Sequence, residues 1–153
     1  MLKEAVGLAF ALAAMSAPAS AAADECEAIA AGIAWATHLP AEASGHNAFS
    51  FDMLGIHSRM YLFCGAPQTT ISARDYIERI PPSALLTIAS LAASQLGKET
   101  PETVYAALSE CVREALRSKD DLGTAELGSI YANCHTNDGR LQIDISPVDD
   151  SVP

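Results

Sequence analysis

Four cysteines, Cys26, Cys64, Cys111 and Cys134, constrain this chain more than any other feature. They are even in number and far apart. No CxxC pair occurs, so the spacing fits neither a zinc ribbon nor a thioredoxin-like redox site. CxxCH is absent as well, which removes covalently attached haem. In an oxidising compartment such cysteines form disulfides, whereas in the cytosol they read as metal or catalytic groups. The first residues choose between the two. Lys3 lies in a short n-region, the apolar run Ala5 to Met15 follows, and Pro18 breaks it. Ala19-Ser20-Ala21 then places small residues where a signal peptidase reads. Residues 1–21 are expected to be a secretory signal peptide cleaved after Ala21, with Ala23 the second choice. The apolar run is shorter than the roughly 20 residues a membrane-spanning helix needs, and no lipid-anchoring cysteine sits at the cleavage point. A periplasmic or secreted protein with two disulfides is the expectation.

The exported portion is acidic. The chain carries 19 Asp+Glu against 9 Lys+Arg, a formal net charge of −10, and losing Lys3 with Glu4 leaves that charge unchanged. A hydrophobic fraction of 50 % is too high for a disordered protein. No basic run is present, which argues against nucleic-acid binding and against anionic membranes, so no membrane insertion is expected after cleavage. A basic protein is the natural partner of such a surface.

Apolar periodicity predicts an all-α fold: a small disulfide-stabilised bundle of about five helices in residues 22–146, with one short C-terminal strand and a disordered tail over 147–153. Asp24 caps a first helix to Thr37 with Cys26, Ile29, Ile33 and Ala36 along one face, and residues 40–47 read as a loop. Ser50 or Asp52 opens a second helix on the stripe Met53, Ile56, Met60 and Phe63, ended by Gly65. Ser72 with Asp75 starts a short third helix that Pro81-Pro82 stops. The charge-free stretch from Ser83 to Leu96 reads as a central core helix, whose Thr87, Ser90 and Ser94 share one face and either bond the preceding turn or allow close packing. Thr100-Pro101-Glu102 opens a further helix on Val104, Leu108, Cys111, Ala115 and Leu116. Thr124 caps a last one through Leu127, Ile130, Tyr131 and Cys134, stopped by Asn137-Asp138-Gly139. Leu141, Ile143 and Ile145 alternate as a strand, which must pair with an undetected segment, pair across a dimer or lie on the helices.

Two disulfide pairings suit this bundle. Neighbouring helices would bring Cys26 to Cys64 and Cys111 to Cys134, the preferred arrangement. Cys64–Cys111 with Cys26–Cys134 would instead staple across the core.

No catalytic constellation is announced, and neither cofactor nor metal is expected. His38, His46, His57 and His135 form no HExxH or H-x3-H pattern, and Cys134-His135 point apart on a helix. GxSxG, S-x-x-K and Gly-rich phosphate loops are missing. Asp75 and Glu78 beside Arg74 and Arg79 read as surface ion pairs. Trp35, the single tryptophan, is expected in the core, with a partner anchor as the alternative.

Phe63-Cys64, Pro67, the Thr69-Thr70 turn and a closing Cys111 resemble the periplasmic Rap/Tai-type immunity proteins. That resemblance implies an exported helical protein, often a homodimer, that neutralises peptidoglycan amidases delivered by type VI secretion. The functional expectation is a non-enzymatic exported binding protein, an inhibitor or immunity protein against a basic peptidoglycan hydrolase. A small envelope stress protein or chaperone is the alternative, and an enzyme using histidine or carboxylate pairs assembled by the fold, with His57 the residue to test, the third reading.

Overall fold

Phe49-Ser50-Phe51-Asp52-Met53 alternates apolar and polar residue by residue, and this period of two governs the middle of the chain. The computed structural model describes residues 19–45, 47–53, 58–65, 68–76 and 82–148. In chain order its elements are α1 (Ala19–Thr37), β1 (Ala41–Ala43), β2 (Ala48–Asp52), β3 (Arg59–Phe63) and β4 (Thr70–Tyr76). Then come α2 (Pro82–Ala93), α3 (Pro101–Arg117), β5 (Leu122–Leu127), β6 (Ile130–Asn137) and β7 (Arg140–Pro147). The strands form one seven-stranded antiparallel sheet in the order β1-β2-β3-β4-β7-β6-β5. The all-α bundle is therefore wrong: the described residues form two layers, three helices on a sheet.

Register explains the burial. Phe51, Met60, Ala73, Ile143, Cys134 and Gly123 lie in one cross-strand row, and all are buried. Leu62, Ile71, Ile145, Ala132 and Ala125 form the next row on the same face. The helices pack here, α1 against β2, α2 against β4 and β7, and α3 against β5 and β6. Ile33 of α1, Leu85 and Ala89 of α2, and Val104 and Leu108 of α3 complete the core. Thr100 caps α3, its hydroxyl accepting from the Thr103 N–H at 3.4 Å.

The misread helices fail for identifiable reasons. The helix expected from Ser50 to Phe63 is β2 and β3; it would have held Gly55 in its interior, at a cost of about 1 kcal/mol against alanine. The one expected from Ser72 is β4, with Asp75 facing the core, while Glu78 and the Pro81 stop lie outside the described residues. The one expected from Thr124 is the β5–β6 hairpin. Its two-residue turn is Gly128-Ser129 with Gly128 at φ +51°, and β6 turns into β7 through Asp138 (φ +49°) and Gly139 (φ +73°). Both are tight turns whose twist matches antiparallel strands, so Asp-Gly here starts a hairpin and does not stop a helix. The strand at 140–147 finds its partners inside the chain, β4 on one side and β6 on the other. The expected loop at 40–47 contains β1.

At the amino end, residues 1–18 of the expected signal peptide lie outside the described residues, and Ala19 to Ala21 belong to α1. At the other end Pro147 closes β7 and the Val148 N–H donates to the Ser129 carbonyl at 2.9 Å. Residues 149–153 of the expected tail are outside the described residues. No helix among the described residues is long and apolar enough to cross a membrane.

Two disulfides fasten the helical layer to the sheet. Cys26 of α1 bonds Cys64 just beyond β3, and Cys111 of α3 bonds Cys134 of β6, each with Cα atoms 5.8 Å apart. The neighbour pairing holds, but as helix-to-strand staples and not as two helical hairpins. Loops of 38 and 23 residues place their chain-entropy contributions near 4 and 3.5 kcal/mol, respectively. Gly123 makes the second staple fit. It sits opposite Cys134, and a Cβ there would lie 2.0 Å from the Cys111 carbonyl oxygen, so the α3 backbone rests directly on β5.

Candidate functional site

An antiparallel sheet covered on one face leaves the other to solvent, so exposed polar strand residues are by themselves unremarkable. The bare face carries Arg59, Arg74, Gln142 and His135 in one cross-strand row and Tyr61, Ser72, Asp144 and Asn133 in the next. Tyr61 stacks on Phe63 with ring centroids 5.9 Å apart, and the Tyr131 hydroxyl bonds Asn133 at 3.0 Å. The sheet's margins are closed to strand addition. β1 has only three residues, and on β5 the Thr124 N–H donates to Glu114 Oε2 at 3.0 Å.

The anomaly lies on the other layer, on α1. Its inward face is Cys26, Ala30 and Ile33, all buried. Opposite them Asp24, Glu27, Ala28, Ala31 and Trp35 recur at helical spacing, and every one is exposed. Trp35 is 81 % exposed, which corrects the expectation of a core tryptophan. Leaving a side chain of this size in water forgoes about 4 kcal/mol of burial. The helix bears Asp24, Glu25 and Glu27 and no Lys or Arg. The stripe thus has acids at one end, small alanines in the middle and an aromatic anchor at the other. The alanines let a partner's backbone approach closely.

The remaining sequence candidates do not converge. His38 follows α1 and is exposed, His135 lies on the bare sheet face, and His46 and His57 are outside the described residues. Cys134 and His135 are consecutive on a strand and face opposite sides, the cysteine inward in its disulfide. Asp75 is not a surface ion-pair member. It is 4 % exposed, with Oδ2 accepting from the Ser58 hydroxyl and Oδ1 from the Tyr76 N–H at 2.6 Å. On α2, Thr87, Ser90 and Ser94 each bond a carbonyl of the preceding turn, the first of the two expected arrangements. No group of three or more His, Cys, Asp or Glu among the described residues could hold a metal ion. Leu116, expected on the buried stripe of α3, is 56 % exposed.

No family model, curated protein or solved structure matches the chain.

Proposed function

We propose that this chain is an exported, non-enzymatic binding protein that docks a basic protein on the outer stripe of α1, and that the partner is a cell-wall hydrolase it inhibits. The observation that carries this reading is Trp35, exposed at the end of a helix whose only charges are negative. Tryptophan is the residue type most enriched among binding hot spots, and like-signed charge at the other end of the stripe steers an oppositely charged partner without a desolvation penalty at the anchor. Two disulfides suit the oxidising compartment in which such a hydrolase works. Compartment and charge support this target class, and the resemblance to the immunity proteins is what suggests it.

The test is a calorimetric titration of the oxidised protein with a basic cell-wall hydrolase encoded beside its gene. A saturable complex is expected, weakened about 30-fold by Trp35→Ala. Asp24→Asn with Glu27→Gln should slow association and flatten its salt dependence. A hydrolase that gives no heat, or that binds Trp35→Ala as tightly as the parent, overturns the reading.

A further inference from the structure

On the bare face of the sheet, two arginines stand over tyrosine rings. The Arg74 guanidinium stands 5.5 Å from the Tyr61 ring centroid. That of Arg140 stands 4.5 Å from the Tyr76 centroid and also donates to the Tyr76 hydroxyl. Gln142 is paired directly with Arg74 and follows Arg140 by two residues, so all three side chains share the face. In a chain with 19 acids against 9 Lys+Arg, an ion pair for every cation would be the simple outcome. Among the described residues, however, neither arginine has a carboxylate within ion-pair distance; the only such pair there is Glu110 with Arg113 on α3.

Among the described residues, the nearby acids are otherwise engaged or marginal. Asp144 Oδ2 accepts from Gln142 Nε2 at 2.7 Å, Asp75 is turned to the core and held by Ser58, and Asp138 sits exposed on the rim. Between the arginines lies a shallow depression of about 280 Å³ lined by Arg74, Asp75, Tyr76, Arg140, Leu141 and Gln142. It continues into a second of about 360 Å³ past His135 and Asn137. A guanidinium held over a ring has little side-chain freedom left to lose and presents its N–H edge as a fork for a planar anion. Strand spacing and rise set the two arginine Cα atoms about 8 Å apart, one diagonal step across the sheet.

We propose that this depression binds a short peptide bearing two carboxylates, one on each arginine, with Gln142 and Asn137 bonding its amides. Two separated forks select two planar anions on one extended ligand, whereas a compact tetrahedral anion reaches only one of them. The site is distinct from the α1 stripe and stands or falls without it.

NMR titration of the oxidised full chain tests it with N-acetyl-Glu-Ala, which carries a side-chain and a terminal carboxylate. N-acetyl-Gln-Ala and the C-terminal amide of N-acetyl-Glu-Ala supply one carboxylate each, and inorganic phosphate is the free anion. The dicarboxylate should bind about tenfold tighter than either single-carboxylate peptide. Arg74→Gln and Arg140→Gln should each erase that advantage. Arg74→Lys should erase it too, since an ammonium keeps the charge but not the fork. Equal affinity for all three peptides, phosphate binding as tight as the dicarboxylate, unchanged affinity in the Arg74 and Arg140 variants, or no shift of the Gln142 and Arg140 resonances overturns the proposal.

Discussion

Replacing Gly123 by alanine should unseat α3 from the sheet. The added Cβ would meet the Cys111 carbonyl oxygen at 2.0 Å, the Ala115 nitrogen at 2.8 Å and the Cys111 carbonyl carbon at 3.0 Å. All three are backbone atoms in the middle of a helix, so no side chain can turn aside. Ordinary contact begins at 3.4 Å, and α3 must therefore lift by more than an ångström. The lift is resisted by the Cys111–Cys134 bond, because Cys134 lies directly opposite Gly123. It also loosens Val104, Leu108, Val112 and Ala115, all buried under that helix. Overpacking alone costs 1–3 kcal/mol, and a rigid backbone contact belongs at or above the top of that range, about 3 kcal/mol. For a chain of this size that corresponds to a fall in Tm of roughly 10 °C. Calorimetric melts of the oxidised protein measure it, with Gly139→Ala as the control. Position 139 has open space around the missing Cβ but a φ of +73°, so alanine there pays only left-handed strain of about 1 kcal/mol. A Gly123→Ala protein melting within a degree or two of the parent, or no lower than Gly139→Ala, would refute the close approach of α3 to β5.

Three further outcomes are expected. Thr100→Ala should destabilise by about 1 kcal/mol through loss of the α3 cap, read by urea denaturation, while Thr100→Ser restores most of it. Non-reducing peptide mapping should recover Cys26 with Cys64 and Cys111 with Cys134. The double variant Cys26→Ser, Cys64→Ser should lose about 4 kcal/mol in the same denaturation experiment. Trp35→Ala should shift stability by less than about 0.5 kcal/mol, since an exposed side chain has little packing to lose; a loss of several kcal/mol would place the indole in a core.

Sequence periodicity located α1, α3 and β7, and a charge-free run located α2, although α1 begins at Ala19 and holds Asp24, expected as its cap, in its second turn. Thr100-Pro101 is the clearest case, and it caps α3 as read. The strands β2, β3, β5 and β6 were hidden because short apolar runs satisfy a period of two and of 3.6 at once. Met53, Met60 and Phe63 fit a helical stripe, yet Phe49, Phe51 and Met53 alternate strictly, and only pairing with β3 decides between them. Turn chemistry was the overlooked arbiter, since Asp138-Gly139 and Gly128-Ser129 carry hairpin signals that outweigh a short apolar stripe. The exposure of Trp35 was partly legible. The stripe Cys26, Ile29, Ile33 and Ala36 leaves Trp35 on the far side, beside Ala31 and Ala28. The placement of Arg74 over Tyr61 was not, for it depends on the β3–β4 register joining residues 13 apart.

Because Trp35 is the single tryptophan, its fluorescence reports on the proposed interface without any label. The free protein should emit as a solvent-exposed indole and be fully open to acrylamide quenching. Saturation with the basic hydrolase should shift the emission to the blue and protect it from acrylamide. A complex that forms while Trp35 remains as quenchable as in the free protein would contradict the docking of the partner on α1.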